Sequence, residues 1–151
     1  MTLALAHLEN RVGPEIRAQQ MAQFLDSLPS DGPAVVAGDF NTTTANFWNR
    51  SEWLGLLAGI LIEPRRLRRP EPYEPLFGLL QRAGFEYRDA NPPLEPTFTP
   101  SGLIPPFMRA KLDWIALRRL GAVPRSAHVI RPRHRLRRIS DHDFVVCDFT
   151  V

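Results

Sequence analysis

Cysteine, lysine and long apolar runs are what this sequence has least of. The single cysteine, Cys147, excludes an internal disulfide. Its setting in Val145-Val146-Cys147-Asp148-Phe149 reads as a buried structural thiol rather than a nucleophile. Lysine occurs once, at Lys111, and the other eighteen basic residues are arginine, a skew consistent with GC-rich coding. The longest apolar stretch, residues 53–62, is too short to cross a bilayer and contains two glycines. No secretory leader is recognisable either, so a soluble protein with the cytoplasm as default compartment is the expectation. Internal repeats are absent, as are low-complexity tracts beyond local Arg-rich and Pro-rich patches. With 151 residues, 44% of them hydrophobic, the chain fits one domain, 1–151, with a modest core.

Positive charge is present in excess and unevenly placed. The formal net charge is only +3, yet residues 109–138 hold ten basic side chains against one carboxylate, Asp113. Such a field draws anions toward the loops that carry Asp113 and Asp141. Arginines on solvated strands that bind nothing give the same composition.

The stretch around which the chain is organised is Val35-Val36-Ala37-Gly38-Asp39-Phe40-Asn41. An apolar run that stops in Gly-Asp-X-Asn reads as a buried strand presenting a carboxylate and an amide at the sheet edge. Ligands of α/β sheets gather there, although Gly, Asp and Asn are also ordinary turn residues. Three more clusters carry polar residues at strand-like edges. They are His7-Leu8-Glu9-Asn10, Leu112-Asp113-Trp114-Ile115 and Ser140-Asp141-His142.

Periodicity supplies the elements between them. Residues 1–8 read as an interior strand delivering His7. In residues 14–28, Ile16, Gln20, Phe24 and Leu28 recur at helical spacing beside Met21 and Leu25, with Pro14 suited to a first helical position. Pro29-Ser30-Asp31-Gly32-Pro33 then turns the chain back, giving a strand, helix, strand unit with parallel pairing. Residues 46–60, with Trp48 and Trp53, read as a short helix or ordered loop, and residues 63–74 as an exposed insertion. A helix over 76–83 closed by Gly84 precedes a short strand over 85–89. The strand 112–117 sets Asp113 and Ile115 on one face and Trp114 and Ala116 on the other. Strands are also expected over 123–130 and 144–151.

Taken in order and spacing, His-Leu, Gly-Asp-Phe-Asn, Leu-Asp-Trp-Ile and Ser-Asp-His resemble the endonuclease/exonuclease/phosphatase superfamily, the fold of deoxyribonuclease I and the exonuclease III type repair nucleases. The resemblance extends from Leu3 to Val151 but covers only the carboxy-terminal half of a family domain. It implies an α/β class with a deoxyribonuclease I-like α/β sandwich, and a metal-dependent hydrolase of phosphodiester or phosphomonoester bonds. The cofactor implied is Mg²⁺, or Mn²⁺, which takes oxygen ligands. Asp141 is the first choice of ligand, with Asp39 and Asn41 touching a second metal. In the family picture Asp39 orients or deprotonates the attacking water, and Asn41 fixes it or contacts the phosphate. His7 and His142 face the phosphate, and Asp113 accepts a hydrogen bond from His142, setting its tautomer and favouring its charged form. An ion pair of Asp113 with Arg109 or Lys111 is the structural alternative.

The departure from the family lies in what would precede Leu3. Family members carry a first half with a second, pseudo-symmetric sheet, an Asn near the start and a metal-binding Glu in a Gln-Glu pair. No Gln-Glu occurs here, and Trp48-Asn49 falls after the Gly-Asp-Phe-Asn motif. The inner sheet face is therefore expected to be bare, to be covered by the missing N-terminal half or by a second chain. The substrate is a phosphate ester: a nucleic acid, phospholipid, inositol phosphate or nucleotide. The rival reading is a non-catalytic fragment binding nucleic acid or an acidic partner through its Arg-rich second half. A lipid phosphodiesterase would use the apolar loop 103–108.

Overall fold

Two of the sequence's apolar runs lie side by side as parallel strands, β1 (Thr2–His7) and β2 (Ala34–Asp39), joined by helix α1 (Pro14–Asp26). The computed structural model describes residues 1–46, 49–99, 108–135 and 137–151. After β2 come α2 (Arg50–Ile62), two 3₁₀ turns at Pro64–Leu67 and Glu71–Tyr73, α3 (Leu76–Arg82), the short β3 (Phe85–Glu86) and β4 (Asp113–Arg118). Strand β4 pairs antiparallel with both β2 and β3, so the main sheet has the order β1-β2-β4-β3. The remaining strands form three two-stranded pairs: β5 (Gly121–Ala122) with β10 (Phe149–Thr150), β6 (His128–Ile130) with β9 (Phe144–Val146), and β7 (Arg133–His134) with β8 (Arg137–Arg138).

Alternation along the strands sorts side chains onto two faces. One face, with Ala4, Ala6, Val36, Trp114 and Ala116, packs against Ala18 and Met21 of α1 and Leu76, Phe77 and Leu80 of α3. Trp114 anchors that core, its ring 4.6 Å from Phe77 and 6.0 Å from Tyr87 in edge-on contacts, each worth about 0.5–1.5 kcal/mol beyond area burial. On the other face Val35 and Leu117 are covered by Ala90, Leu120, Ala122 and Cys147. Leu3 and Leu5 share that second face yet are 68% and 74% exposed. The expected mixed α/β class stands, and an uncovered strip follows β1.

Several local expectations change. Strand β1 is the outer strand of the sheet rather than an interior one, and the residues that cover Val35 and Leu117 on the second face do not reach over its leucines. On α1 the buried stripe is Arg17, Ala18 and Met21, and Ile16 is largely exposed. The segment 63–74 is tied down at Leu67 and Glu74, both buried. The strand expected over 123–130 is reduced to β6, and the last one is broken into β9 and β10. Trp48 and residues 103–107 of the apolar loop lie outside the described residues; Met108 is partly exposed. Among the described residues no helix is long and apolar enough to cross a membrane.

Candidate active site

Strand register builds the site. His7 pairs with Asp39 across β1 and β2, and Asp39 with Asp113 across β2 and β4. Three strand ends therefore place His7, Asp39 and Asp113 in one row on one face of the sheet, since partners in register point the same way. The imidazole Nε2 of His7 lies 3.7 Å from Asp39 Oδ2. His7 is otherwise open to solvent and borders a shallow cleft of about 480 Å³ shared with Glu9, Asn10 and Gln20.

His142 reaches this row from a distant loop. Thr99 N–H donates to the Asp141 carbonyl and Asp143 N–H to the Thr97 carbonyl, while Phe98 bridges both Ala110 and His142. The Phe98 ring lies 5.0 Å from the imidazole. Held this way, His142 donates from Nδ1 to Asp113, 2.9 Å to Oδ2 and 3.2 Å to Oδ1, and its Nε2 lies 3.8 Å from Asp39 Oδ2. Asp113 thus pairs with His142, and forms no ion pair with Arg109 or Lys111. Donor atoms of Asp39, Asp113 and His142 all lie within 4.8 Å of one another.

Asp39 is set by its own turn. Gly38 has φ +139°, and a Cβ there would stand 2.0 Å from the Ala6 carbonyl oxygen, so only glycine fits before the carboxylate. Past it the chain reverses through Asn41 (φ 48°) and Thr43 (φ 66°). Asn41 N–H donates to Asp39 Oδ1 at 2.8 Å, and its buried side-chain Nδ2 donates to the Leu8 carbonyl at 2.6 Å. The amide therefore ties the Asp39 turn to the segment just after His7. Asp141 is exposed, and its backbone carbonyl accepts from Arg138 Nη2. Its carboxylate is not one of the three mutually close donors, though its charge helps hold His142 protonated.

A fully buried ion pair holds the turn in place. Arg17 meets Glu74 through Nε (3.2 Å) and Nη2 (2.6 Å), and its Nη1 donates to Val12 O and Thr44 Oγ1. Glu74 Oε1 also accepts from Thr43 N–H, and Thr44 Oγ1 donates to the Asn41 carbonyl. Reading the sequence by motif passes over Arg17 and Glu74; Thr97-Phe98-Thr99 resembles a short family element ahead of the Asp-bearing strand, but its contacts with Asp113 and His142 are not legible from it. A signal for the arginine exists: Arg17, Met21, Phe24 and Leu28 fall at helical spacing, so a cation sits inside the apolar stripe of α1. Thr97 is fully buried, and its Oγ1 accepts from the N–H groups of Leu112 and Asp113, aligning the start of β4.

The charges are coupled. Burial, with the nearby Asp113 carboxylate, raises the Asp39 pKa above its ordinary value, although the Asn41 N–H and the two imidazoles oppose this. The hydrogen bond to Asp113 raises that of His142, against partial burial, and the charges of Asp113, Asp39 and Asp141 add to it. Among the described residues Asp39 Oδ2 accepts no hydrogen bond. A carboxylate that is half-desolvated, repelled by a second carboxylate and short of donors fits a bound cation; the three-donor grouping serves a metal only with His142 neutral, since an imidazolium offers no lone pair.

Comparison with known proteins bears on this arrangement. No curated protein matches the chain. Among solved structures, the endonuclease/exonuclease/phosphatase from Beutenbergia cavernae DSM 12333 is similar in fold, with a TM-score of 0.55 at 19% identity. The match covers 96% of this chain and 34% of that one, so this chain spans about a third of the length of that relative. The model of the Endonuclease/Exonuclease/phosphatase family matches residues 5–142, from within β1 to His142. The chain belongs to the endonuclease/exonuclease/phosphatase family.

Proposed function

We propose that this chain carries the acid-base end of a metal-dependent phosphodiesterase site. Membership in the family supports a hydrolase-type function. The observation that carries the finer reading is the convergence of His7, Asp39, Asp113 and His142, from four separate segments, around Asp39 Oδ2.

Each residue has a role its geometry allows. Asp39, ionised, takes the proton of the attacking water, and a raised pKa makes it a better base. His142, kept protonated by Asp113, neutralises charge on a phosphoryl oxygen, and His7 supplies a second, solvent-facing donor. Asn41 fixes Asp39 through its backbone N–H rather than by free side-chain reach, since its Nδ2 is committed to Leu8. Of the ligands expected from the sequence, Asp39 is the one that belongs to the three close donors; with Asn41 Oδ1 and the Asp141 carboxylate, which is not among those donors, it would hold Mg²⁺ or Mn²⁺. When bound, such a cation polarises the phosphoryl group and lowers the pKa of coordinated water.

The test is Mg²⁺-dependent cleavage of a generic phosphodiester by this chain and by an Asp39→Ala, His142→Ala variant. A metal-dependent rate lost in the variant supports the reading; equal rates overturn it. The bare Leu3 and Leu5 strip lies on the face that carries His7, Asp39 and Asp113. A covering sheet, from a preceding segment of a longer polypeptide or from a second chain, would bury both the strip and the site, and we place it there as part of the same proposal.

A second reading rests on the β7–β8 hairpin, where Arg133, Arg135 and Arg137 are exposed. A non-catalytic module binding nucleic acid or an acidic partner through them would lose affinity steeply with salt and ignore changes at Asp39.

A further inference from the structure

Lys111 is 3% exposed, and burial opposes its charged form while the charges of Glu71 and Glu95 act on it from beyond ion-pairing distance. Its ammonium donates to the Pro92 carbonyl at 2.7 Å and sits 4.2 Å above the Trp114 ring. No carboxylate lies within ion-pairing distance of it among the described residues. An ammonium offers three donors, and one protein acceptor leaves two unused. Trp114, 2% exposed, has a second unanswered donor: its buried Nε1–H has no hydrogen-bond partner. A buried charge with one hydrogen-bond acceptor and a buried N–H with none are each costly, and Glu71 Oε2 nearby is a buried acceptor likewise without a donor, so the place calls for an explanation.

Both residues line the same cleft, of about 300 Å³. Arg68, Arg69 and Arg88 line it too, on its more open side, against one carboxylate, Glu71. Lys111, Arg69 and Arg88 outnumber the one lining carboxylate, so the cleft draws negative charge, and the low-dielectric Trp114 wall strengthens that attraction. The cleft lies on the Trp114 face of β4, beside Asn91 and Pro93, whereas the Asp39 row stands at the strand ends on the opposite face. Its volume suits a small ligand rather than a peptide or a duplex.

We propose that the Lys111–Trp114 cleft is a binding site for a phosphate-type oxyanion, either inorganic phosphate or the phosphoryl group of a small phosphomonoester. A tetrahedral oxyanion accepts the spare Lys111 donors at its inner end, beside the Trp114 ring, and Arg69 and Arg88 meet its outer oxygens. The inference stands apart from the acid-base reading of Asp39 and His142, which uses none of these side chains.

The experiment follows the Trp114 indole N–H signal of the ¹⁵N-labelled chain, assigned by Trp114→Phe, during titration with inorganic phosphate at constant ionic strength. It is run in the Asp39→Ala, His142→Ala background, so that phosphate bound at the Asp39 row does not contribute. Saturable movement of the Trp114 signal alone, with those of Trp48 and Trp53 unmoved, is expected. In Lys111→Met the apparent affinity falls at least about tenfold, whereas Glu71→Gln tightens it. Lys111→Met also leaves the thermal midpoint without phosphate unchanged or raised, and loses the rise that phosphate gives the parent. Arg69→Gln, on the exposed side, gives a weaker loss without touching the core. Adenosine monophosphate distinguishes the two sources: tighter binding than phosphate assigns a phosphomonoester, equal or weaker binding assigns the free ion. A Trp114 signal that stays still, moves together with the other indoles, or titrates identically in Lys111→Met overturns the proposal.

Discussion

His142 Nδ1 stands 2.9 Å from Asp113 Oδ2 although 29 residues separate them in the chain. The pair is held from both sides: Thr97 fixes the backbone of Asp113, and Phe98 pairs with His142. Because the folded pKa of His142 is raised, chiefly by that hydrogen bond, the pair's contribution to stability is complete below pH 6.5 and is lost as pH rises through the folded value. The ring signals of His142 should therefore titrate above 6.5 by proton NMR. In Asp113→Asn they should titrate lower, and phosphodiester cleavage should fall by about 10²- to 10⁴-fold. An unchanged titration in that variant would break the assignment of the dyad.

Asp39 is costly to the fold and useful to the site. Its folded pKa lies above the ordinary 3.8, so ionising it above that range takes stability away rather than adding it. Asp39→Asn should raise stability at pH 7 by about 1 kcal/mol while abolishing metal-dependent hydrolysis. Chemical denaturation at pH 7 and at pH 3 checks this, and the gain should vanish at the lower pH.

Arg17 and Glu74 are a buried pair with almost no exposure on either side chain. Arg17→Met leaves Glu74 uncompensated, and a loss of about 3–5 kcal/mol is expected, a large part of a small domain's stability. The double variant Arg17→Met, Glu74→Leu should recover much of that loss, because an apolar pair of similar volume avoids the desolvation. Activity should not recover with it, since Thr43 N–H loses its acceptor and Thr44 its donor. Urea unfolding beside cleavage rates separates the two effects.

Gly38 faces the Ala6 carbonyl too closely for any side chain. Gly38→Ala should cost more than about 3 kcal/mol, beyond the usual range for a point change, through backbone strain and separation of β1 from β2. A variant that folds normally, with unshifted amide signals for Ala6 and Asp39, would contradict the register described for these strands.

Among the elements, those written in periodicity were legible and those written in contact were not. Pro14 and the four-residue recurrence after it mark α1, and the run ending at Asp39 marks β2, because local backbone preference and burial agree there. Val145 and Val146 promise a long final strand. The chain instead breaks between β9 and β10, where the Asp148 N–H and carbonyl turn to Ser126 Oγ and Val123 N–H, partners no local pattern can name. The segment 63–74 looks solvated by composition, but Glu74 is carried inside by a charge 57 residues away.

For the site, residue types and their order determined which chemistry is present: two imidazoles, three carboxylates and an amide in four short motifs. Tertiary structure decided how they meet. Register is a pairing property, so only the assembled sheet could set His7, Asp39 and Asp113 in one row, join His142 to it and leave Asp141 outside the three closest donors. The same assembly, burying Lys111 without a carboxylate partner against Trp114, created a charged cleft that no motif announces, because burial is set by what packs around a residue and not by the residue itself.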